Sequence, residues 1–178
     1  MHPRRLIRYP TTGIAVTSDL KKVHEAKAEF DVDFGKKYGV QKGVLTNSSE
    51  GEIYAPGAMW LEALDLVLQR LKEDGLDFSK VRGVSGAGMQ HGTVFWNQEA
   101  EKMLNGLKGD KSLVEQLGDG ADGQEYGAFS HPHSPNWQDA STQKQCEAFD
   151  AFFGSPAELA NVTGSCAHHV CLPTYGWI

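Results

Sequence analysis

A glycine-rich stretch that ends in a histidine, residues 84–92, has the composition of a loop that contacts a ligand. Gly86 and Gly88 let backbone approach a ligand closely, because they carry no side chain. His91 follows with Gln90 beside it, and an imidazole at the end of a strand can hydrogen-bond to sugar hydroxyls. The alternative is a tight turn between strands with a half-buried structural His91. The spacing alone favours this alternative, since isolated glycine motifs are weak signals.

A second stretch that could carry chemistry is residues 134–142, which contain Trp137, Asp139 and Ser141. Trp137 offers a flat apolar surface that can pack on a sugar ring. Asp139 can accept two hydrogen bonds from hydroxyl or amide groups. The alternative places Trp137 in the core and makes Asp139 the N-cap of the helix that follows. For Asp139 the capping role is the better interpretation.

A third stretch, residues 166–171, contains two cysteines and two histidines, which are ligand types that zinc prefers. Ligands this close together cannot all reach one tetrahedral ion without strain, and no second pair follows at zinc-finger spacing. His131 and His133 could contribute, but nothing in the pattern requires them. We therefore expect no metal site here.

The first half of the chain predicts a hairpin, a loop and a helix. Residues 13–34 combine a short apolar run, a turn and a period-two segment, which is typical of a β-hairpin. Residues 35–52 are rich in Gly, Lys and Ser and predict a loop. A helix begins at Pro56 and ends before Gly75. Its apolar residues recur at helical spacing: Met59, Trp60, Ala63, Leu64, Val67, Leu68 and Leu71.

Two short strands, residues 81–85 and 93–96, are predicted on either side of the glycine-rich stretch. Residues 97–127 are polar and glycine-rich, and they predict a surface segment with one or two weak helices.

The last part of the described pattern predicts an extended segment and two helices. Residues 134–139 are extended and residues 141–153 are helical. Ser155 begins a capping box whose helix ends near Gly164. The order of strands and helices along the chain predicts an α/β domain whose first strands are antiparallel.

Composition sets outer limits on the function of this chain of 178 residues and 19.5 kDa. With 40% hydrophobic and 22% charged residues, the chain is not disordered, collagen-like or a coiled coil. No apolar run is long enough for a membrane span. A net charge of −6 without a basic stripe argues against nucleic-acid binding. Three cysteines are too few for a disulfide framework, which indicates a reducing compartment and hence the cytoplasm.

Four segments together resemble a known enzyme family. Residues 81–96 contain Ser-Gly-Ala-Gly-Met-Gln-His-Gly, which is similar to the "SGAGxQHG" strand of eukaryotic xylulokinases in the FGGY carbohydrate kinase family. Residues 59–65 resemble the first long helix of that family, and residues 135–142 resemble its "P-x-W-x-D-x-S-T" segment. Residues 163–168 resemble the stretch that leads to an arginine in the sugar site. The match is collinear from residue 13 to residue 169.

The resemblance implies an actin-like, ribonuclease-H-like α/β fold with two domains and a cleft between them. It implies transfer of a phosphoryl group from ATP to D-xylulose, with Mg²⁺, in D-xylose catabolism. Residues 13–169 would be part of the N-terminal, sugar-binding domain. Residues 1–12 and 170–178 would be atypical segments on either side of it.

The resemblance also implies roles for individual residues. His91 would bind the sugar with Gln90 beside it, and Trp137 would lie near the sugar. Asp139 and Ser141 would be supporting residues. The family's base aspartate and adenine site are expected beyond the end of this chain, so we expect no catalytic residue here and no complete ATP or Mg²⁺ site.

Both ends depart from the family pattern. Residues 6–12 stand where the family has G-x-D-x-S-T-Q, and Pro10 cannot donate to a sheet ladder. The opening decade holds Arg4, Arg5 and Arg8 but no apolar region, so we do not expect it to be a secretory signal. Val170 stands where the family has the arginine of R-F-T-G. These ends predict a splice variant or a gene-model error.

Two hypotheses follow from the departures. The first is a truncated xylulokinase that is inactive alone. The second is a non-catalytic sugar-binding protein or a gene-model fragment, which could pair with a full-length kinase. Another sugar kinase of the same family is a third option, because part of the sugar site is absent here.

Overall fold

The computed structural model describes residues 10–88 and 92–167. They form two compact units, each assembled from separate segments of the chain. The first unit comprises the described residues up to position 44 with residues 56–87 and 95–132. The second comprises residues 45–55, 88, 92–94 and the described residues from 133 onward. Helices and strands occur in both units, which confirms the predicted mixture of α and β structure.

The first unit begins with the predicted β-hairpin. Strand β1 (Pro10–Val16) pairs antiparallel with strand β2 (Lys22–Glu29). The turn between them is closed by a hydrogen bond of 2.9 Å from the Thr17 N–H to the Lys21 carbonyl. The two strands end five residues before the predicted limit, because residues 30–34 form a π-helical turn instead.

This turn is held by an ion pair. The guanidinium of Arg70 donates two hydrogen bonds to Asp33, of 2.7 Å to Oδ1 and 3.0 Å to Oδ2. The adjacent Arg70 guanidinium lowers the pKa of the Asp33 carboxyl below its ordinary value. A short helix, α1 (Gly35–Tyr38), follows the turn and ends at Gly39, which has a positive φ of 72°. Residues 35–38 therefore depart from the predicted loop.

Helix α2 (Gly57–Glu73) confirms the predicted helix in position and orientation. The predicted apolar face is buried at its centre, where Met59 and Ala63 are fully inaccessible to solvent. The edges of that face remain open, since Leu64 and Leu68 are 41% and 39% exposed. Two residues after the helix, Gly75 adopts a φ of 95°, a conformation that ends helices and suits glycine.

Gly13 allows the hairpin to pack tightly on α2. A Cβ atom at this position would lie 2.5 Å from Cγ1 of Val67 and 2.9 Å from Cδ1 of Leu71. Both distances are shorter than real carbon contacts, so only glycine fits here without movement. The glycine thus sets the distance between β1 and the helix.

Two short helices confirm the prediction for residues 97–127. They are α3 (Ala100–Asn105) and α4 (Leu113–Leu117). The carboxylate of Asp65 on α2 accepts the backbone N–H groups of Leu113 and Val114 at 2.9 and 3.1 Å, which caps α4. The segment is more than a solvated surface, because three of its side chains form a buried cluster with the next residue, Ala128: Ala100, Met103 and Leu117.

The predicted strands at residues 81–85 and 93–96 are wrong for the residues that the structure describes there. Residues 81–88 are exposed, and the Val84 side chain is 93% exposed. Trp96 forms an isolated bridge with Phe129 rather than a strand. A strand needs a neighbouring strand to accept its backbone hydrogen bonds. The apolar pattern identified residues that suit a strand, but it could not show whether a neighbouring strand is present.

The second unit contains a three-stranded sheet of β3 (Leu45–Asn47), β4 (Glu52–Pro56) and β5 (His133–Pro135), in the order β3-β4-β5. Strands β3 and β4 are antiparallel and form a hairpin. The predicted loop at residues 35–52 is therefore wrong in its second half. Strand β3 has only three residues, and so short a strand gives little periodic signal.

Two predicted helices complete the second unit. Helix α5 (Gln143–Phe153) ends before Gly154, which has a φ of 92°. Helix α6 (Pro156–Thr163) begins with the predicted cap, in which Ser155 Oγ accepts the Glu158 N–H at 3.1 Å. Among the described residues, no helix is long and apolar enough to cross a membrane.

Candidate functional site

Residues 136–141 form a loop that is bonded to the strand β4 region at three points. The Asn136 N–H donates to the Ile53 carbonyl at 3.0 Å. The Ile53 N–H donates to Oδ2 of Asp139 at 2.8 Å. The Ala140 N–H donates to the Gly51 carbonyl at 2.9 Å. The backbone on both sides of Trp137 is therefore fixed to the sheet.

Asp139 is the centre of this arrangement and is fully buried. Its second oxygen, Oδ1, accepts the Ser141 hydroxyl at 2.6 Å and the Ser141 N–H at 3.1 Å. Both carboxylate oxygens are thus engaged by protein donors. The predicted capping role is wrong, because α5 begins at Gln143 with Thr142 at its N-cap. Asp139 instead closes a turn ahead of the helix and joins this turn to β4.

Asn136 is a structural residue of this loop that the sequence did not single out. It is 3% exposed, and its Oδ1 accepts the Gln138 N–H at 2.6 Å. Its carbonyl accepts the Asp139 N–H at 3.0 Å. The Pro135-Asn136 pair is a turn signal, and this signal could have identified the residue.

Trp137 is 47% exposed, so the alternative that placed it in the core is wrong. A half-exposed indole on a fixed backbone loses little conformational freedom on binding. Such a side chain can stack on the apolar face of a ring or on a cation.

Thr142 lies next to this turn and is 1% exposed. Its Oγ1 has no hydrogen-bond partner among the residues that the structure describes. A buried hydroxyl without a partner costs free energy, so this atom is a weak point of the packing beside the loop.

Two comparisons bear on the family. No protein-family model matches this chain. The chain is 60% identical over 158 residues to a protein of Arthroderma otae named "Probable D-xylulose kinase A". It is 57% and 56% identical over 157 residues to proteins of the same name from Aspergillus clavatus and Neosartorya fischeri. Over this region the chain is similar to proteins that are named probable D-xylulose kinases.

The homologous region covers 89% of this chain and 26% of the Arthroderma otae kinase. The chain thus spans about a quarter of the length of the D-xylulose kinases that it matches. This agrees with the prediction that the chain corresponds to part of a larger kinase. The predicted resemblance to xylulokinases is confirmed, because these relatives are named probable D-xylulose kinases.

The structure brings three of the five predicted site residues together, since Trp137, Asp139 and Ser141 share one loop. His91 and Gln90 lie outside the described residues, so their roles stay predictions. On the described side of this stretch, a Cβ added at Gly86 or Gly88 would meet nothing within 4 Å. Among the described residues, no neighbouring atom therefore requires a glycine at either position.

The cysteine- and histidine-rich stretch lies partly outside the described residues, which end before His168. Cys166 is exposed, and the His133 ring packs on Tyr54 with centroids 4.5 Å apart. In residues 10–88 and 92–167, no three His, Cys, Asp or Glu side chains are grouped as metal ligands.

Proposed function

We propose that this chain is part of a D-xylulose kinase of the FGGY family and contributes to its sugar site. The observation that carries the proposal is the 60% identity over 158 residues to a probable D-xylulose kinase A. The reaction would transfer the γ-phosphoryl group of ATP to a hydroxyl of D-xylulose and give D-xylulose 5-phosphate and ADP. The odd and small number of cysteines supports a cytoplasmic location.

The proposal includes the fold and the domain limits. Residues 13–169 would form part of the N-terminal domain of an actin-like kinase, with 1–12 and 170–178 outside the family pattern. The mixture of helices and strands in both units supports an α/β domain.

Within the sugar site, we assign different roles to the predicted residues. Trp137 would contact the sugar, because its indole is half-exposed on a fixed loop. His91 and Gln90 would hydrogen-bond to hydroxyls. Asp139 would position the loop rather than touch the sugar, since Ile53 and Ser141 already occupy its oxygens.

Phosphoryl transfer also needs a base at the attacking hydroxyl and a site for ATP with Mg²⁺. We propose that the part of a D-xylulose kinase that this chain does not match, about three quarters of its length, supplies both. Mg²⁺ would neutralise charge on the phosphates when bound. This chain alone would accordingly bind sugar without turning it over.

The first test measures ligand-induced stabilisation. The melting temperature of the purified chain should rise with D-xylulose, because a ligand that binds the folded state stabilises it. Trp137→Ala and His91→Ala should remove this rise while leaving the melting temperature without sugar nearly unchanged. Phe152→Ala is the matched control, since it removes an aromatic side chain that is 84% exposed in the same unit. A rise that persists in both site variants would reject the assigned contacts.

The second test separates the kinase hypothesis from its alternatives. ADP release is measured with D-xylulose, D-ribulose and glycerol, for this chain alone and for a full-length relative. We expect release only from the relative, and fastest with D-xylulose. Sugar-dependent release from the pure chain would refute the proposed division of labour. A cooperative melt with no response to any sugar would favour a fragment without a binding role.

A further inference from the structure

The first unit contains an open cavity of about 460 Å³ beside helix α3, and none of the described residues that line it is assigned to the proposed D-xylulose site. Five side chains define it for this argument: Trp96, Gln98, Glu101, Leu104 and Asn105. It shares no residue with the loop that carries Trp137.

The aromatic wall of this cavity is held in place but not covered. The Trp96 ring packs on Phe129 with centroids 5.2 Å apart, yet Trp96 is 48% exposed. The next residue, Asn97, is anchored by a hydrogen bond of 2.7 Å from Nδ2 to the Gly127 carbonyl. Leu104, on the opposite helix, is 42% exposed and adds a second apolar surface.

Polar groups of the cavity are uncommitted. Among the described residues, the side chains of Gln98, Glu101 and Asn105 have no hydrogen-bond or ion-pair partner. Glu101, Leu104 and Asn105 have i, i+3, i+4 spacing and therefore share one face of α3. The neighbouring Lys102 is engaged by Glu99 and Asp122, each at 3.5 Å.

The donor and acceptor types of these groups select the ligand. Two carboxamides supply both donors and acceptors, and Glu101 supplies acceptors and a negative charge. A hydroxyl group both donates and accepts, so it can pair with the carbonyl oxygen and with the NH₂ group of a carboxamide. A cation could pair only with the carbonyl oxygens and would leave the NH₂ donors unused. An anionic ligand would be repelled by the carboxylate. We propose that this cavity binds a neutral, hydroxyl-rich ring such as a saccharide, stacked on Trp96.

The test is an NMR titration of the ¹⁵N-labelled chain with D-glucose, glucose 6-phosphate and arginine methyl ester. D-Glucose should shift the indole N–H of Trp96 and the side-chain amides of Gln98 and Asn105. Glucose 6-phosphate should bind more weakly, and arginine methyl ester should not compete. Glu101→Gln should reduce the difference in affinity between D-glucose and glucose 6-phosphate, because it removes the negative charge that repels the phosphate.

Trp96→Ala should weaken D-glucose binding about tenfold or more, which corresponds to about 1.4 kcal/mol. Trp137→Ala is the matched control and should leave these shifts intact. Trp96→Phe keeps an aromatic wall and maintains the test if the alanine variant fails to fold. Absence of shifts, shifts that survive Trp96→Ala, or preferential binding of the arginine ester would overturn the proposal. None of these outcomes depends on the D-xylulose site.

Discussion

The backbone N–H of Ile53 donates a hydrogen bond of 2.8 Å to Oδ2 of Asp139, a residue 86 positions later in the chain. The same carboxylate accepts two hydrogen bonds from Ser141. One buried side chain thus joins strand β4 to the turn ahead of helix α5. The loop that carries the half-exposed Trp137 depends on it.

Asp139→Ala should lower the free energy of unfolding by about 2–4 kcal/mol, because it leaves the part-buried N–H groups of Ile53 and Ser141 without acceptors. Ser141→Ala should cost only about 0.5–1.5 kcal/mol, since the bond to Ile53 survives. Urea denaturation followed by circular dichroism measures both. Equal losses in the two variants would show that the bond to Ile53 contributes little.

Gly13→Ala should destabilise the first unit by about 1–3 kcal/mol, because its Cβ would overlap a packed side chain. The new atom would lie 2.5 Å from Cγ1 of Val67. Gly86→Ala is the matched control and should change stability little, since no atom of the described residues lies within 4 Å of its added Cβ.

A double-mutant cycle locates the Gly13 effect. Combining Gly13→Ala with Val67→Ala should cost less than the sum of the two single changes, since the second removes the overlapping atom. Thermal melts of the four proteins give the coupling. Additive losses would place the strain elsewhere.

The ion pair of Asp33 and Arg70 should make stability fall in acid. The folded state depresses the pKa of Asp33, so its contribution is complete above the unfolded pKa of about 3.9. It is lost as the pH falls from there through the lower pKa of the folded state. Urea midpoints between pH 6 and pH 2.5 measure this.

Arg70→Gln should reduce this acid-dependent loss and lower stability at pH 6. Lys80→Gln is the control, because its partner Asp77 forms an exposed pair at 3.3 Å. An unchanged pH profile in Arg70→Gln would mean that other carboxylates dominate.

Thr142→Val should leave stability unchanged or raise it by up to about 1 kcal/mol, since the buried Oγ1 has no partner among the described residues. Thr163→Val is the contrasting variant and should destabilise, because the Thr163 hydroxyl has two carbonyl acceptors within reach, Leu159 at 2.9 Å and Ser165 at 2.8 Å, and donates its one hydrogen to this pair. Chemical denaturation compares the two. A loss in Thr142→Val would reveal a bond to solvent or ligand.

Features with local causes could be predicted from the sequence. Helix α2 follows from apolar residues at helical spacing and from Gly75 after its end. The cap of α6 follows from Ser155 and Glu158 three residues apart. Pro10 was expected to serve a central strand poorly, and it occupies the first position of β1, where a missing N–H is tolerated.

Features that depend on distant partners could not be predicted. The strands proposed around Val84 are not formed in the described residues, because a pattern of apolar residues does not identify a neighbouring strand. The sequence showed that Asp139 could accept hydrogen bonds, but not that Ile53 would donate one. The local pattern predicted that Asp139 caps the following helix, whereas in the structure its carboxylate bonds to β4.

The link between Ile53 and Asp139 also has a consequence during synthesis. At roughly 5–20 residues per second, the ribosome needs about 4–17 s to add the 86 residues between them. The backbone of β4 therefore leaves the ribosome well before the carboxylate that accepts its N–H. Residues of the first unit are translated in that interval. The hairpin of β3 and β4 is therefore synthesised several seconds before the residues that complete the second unit.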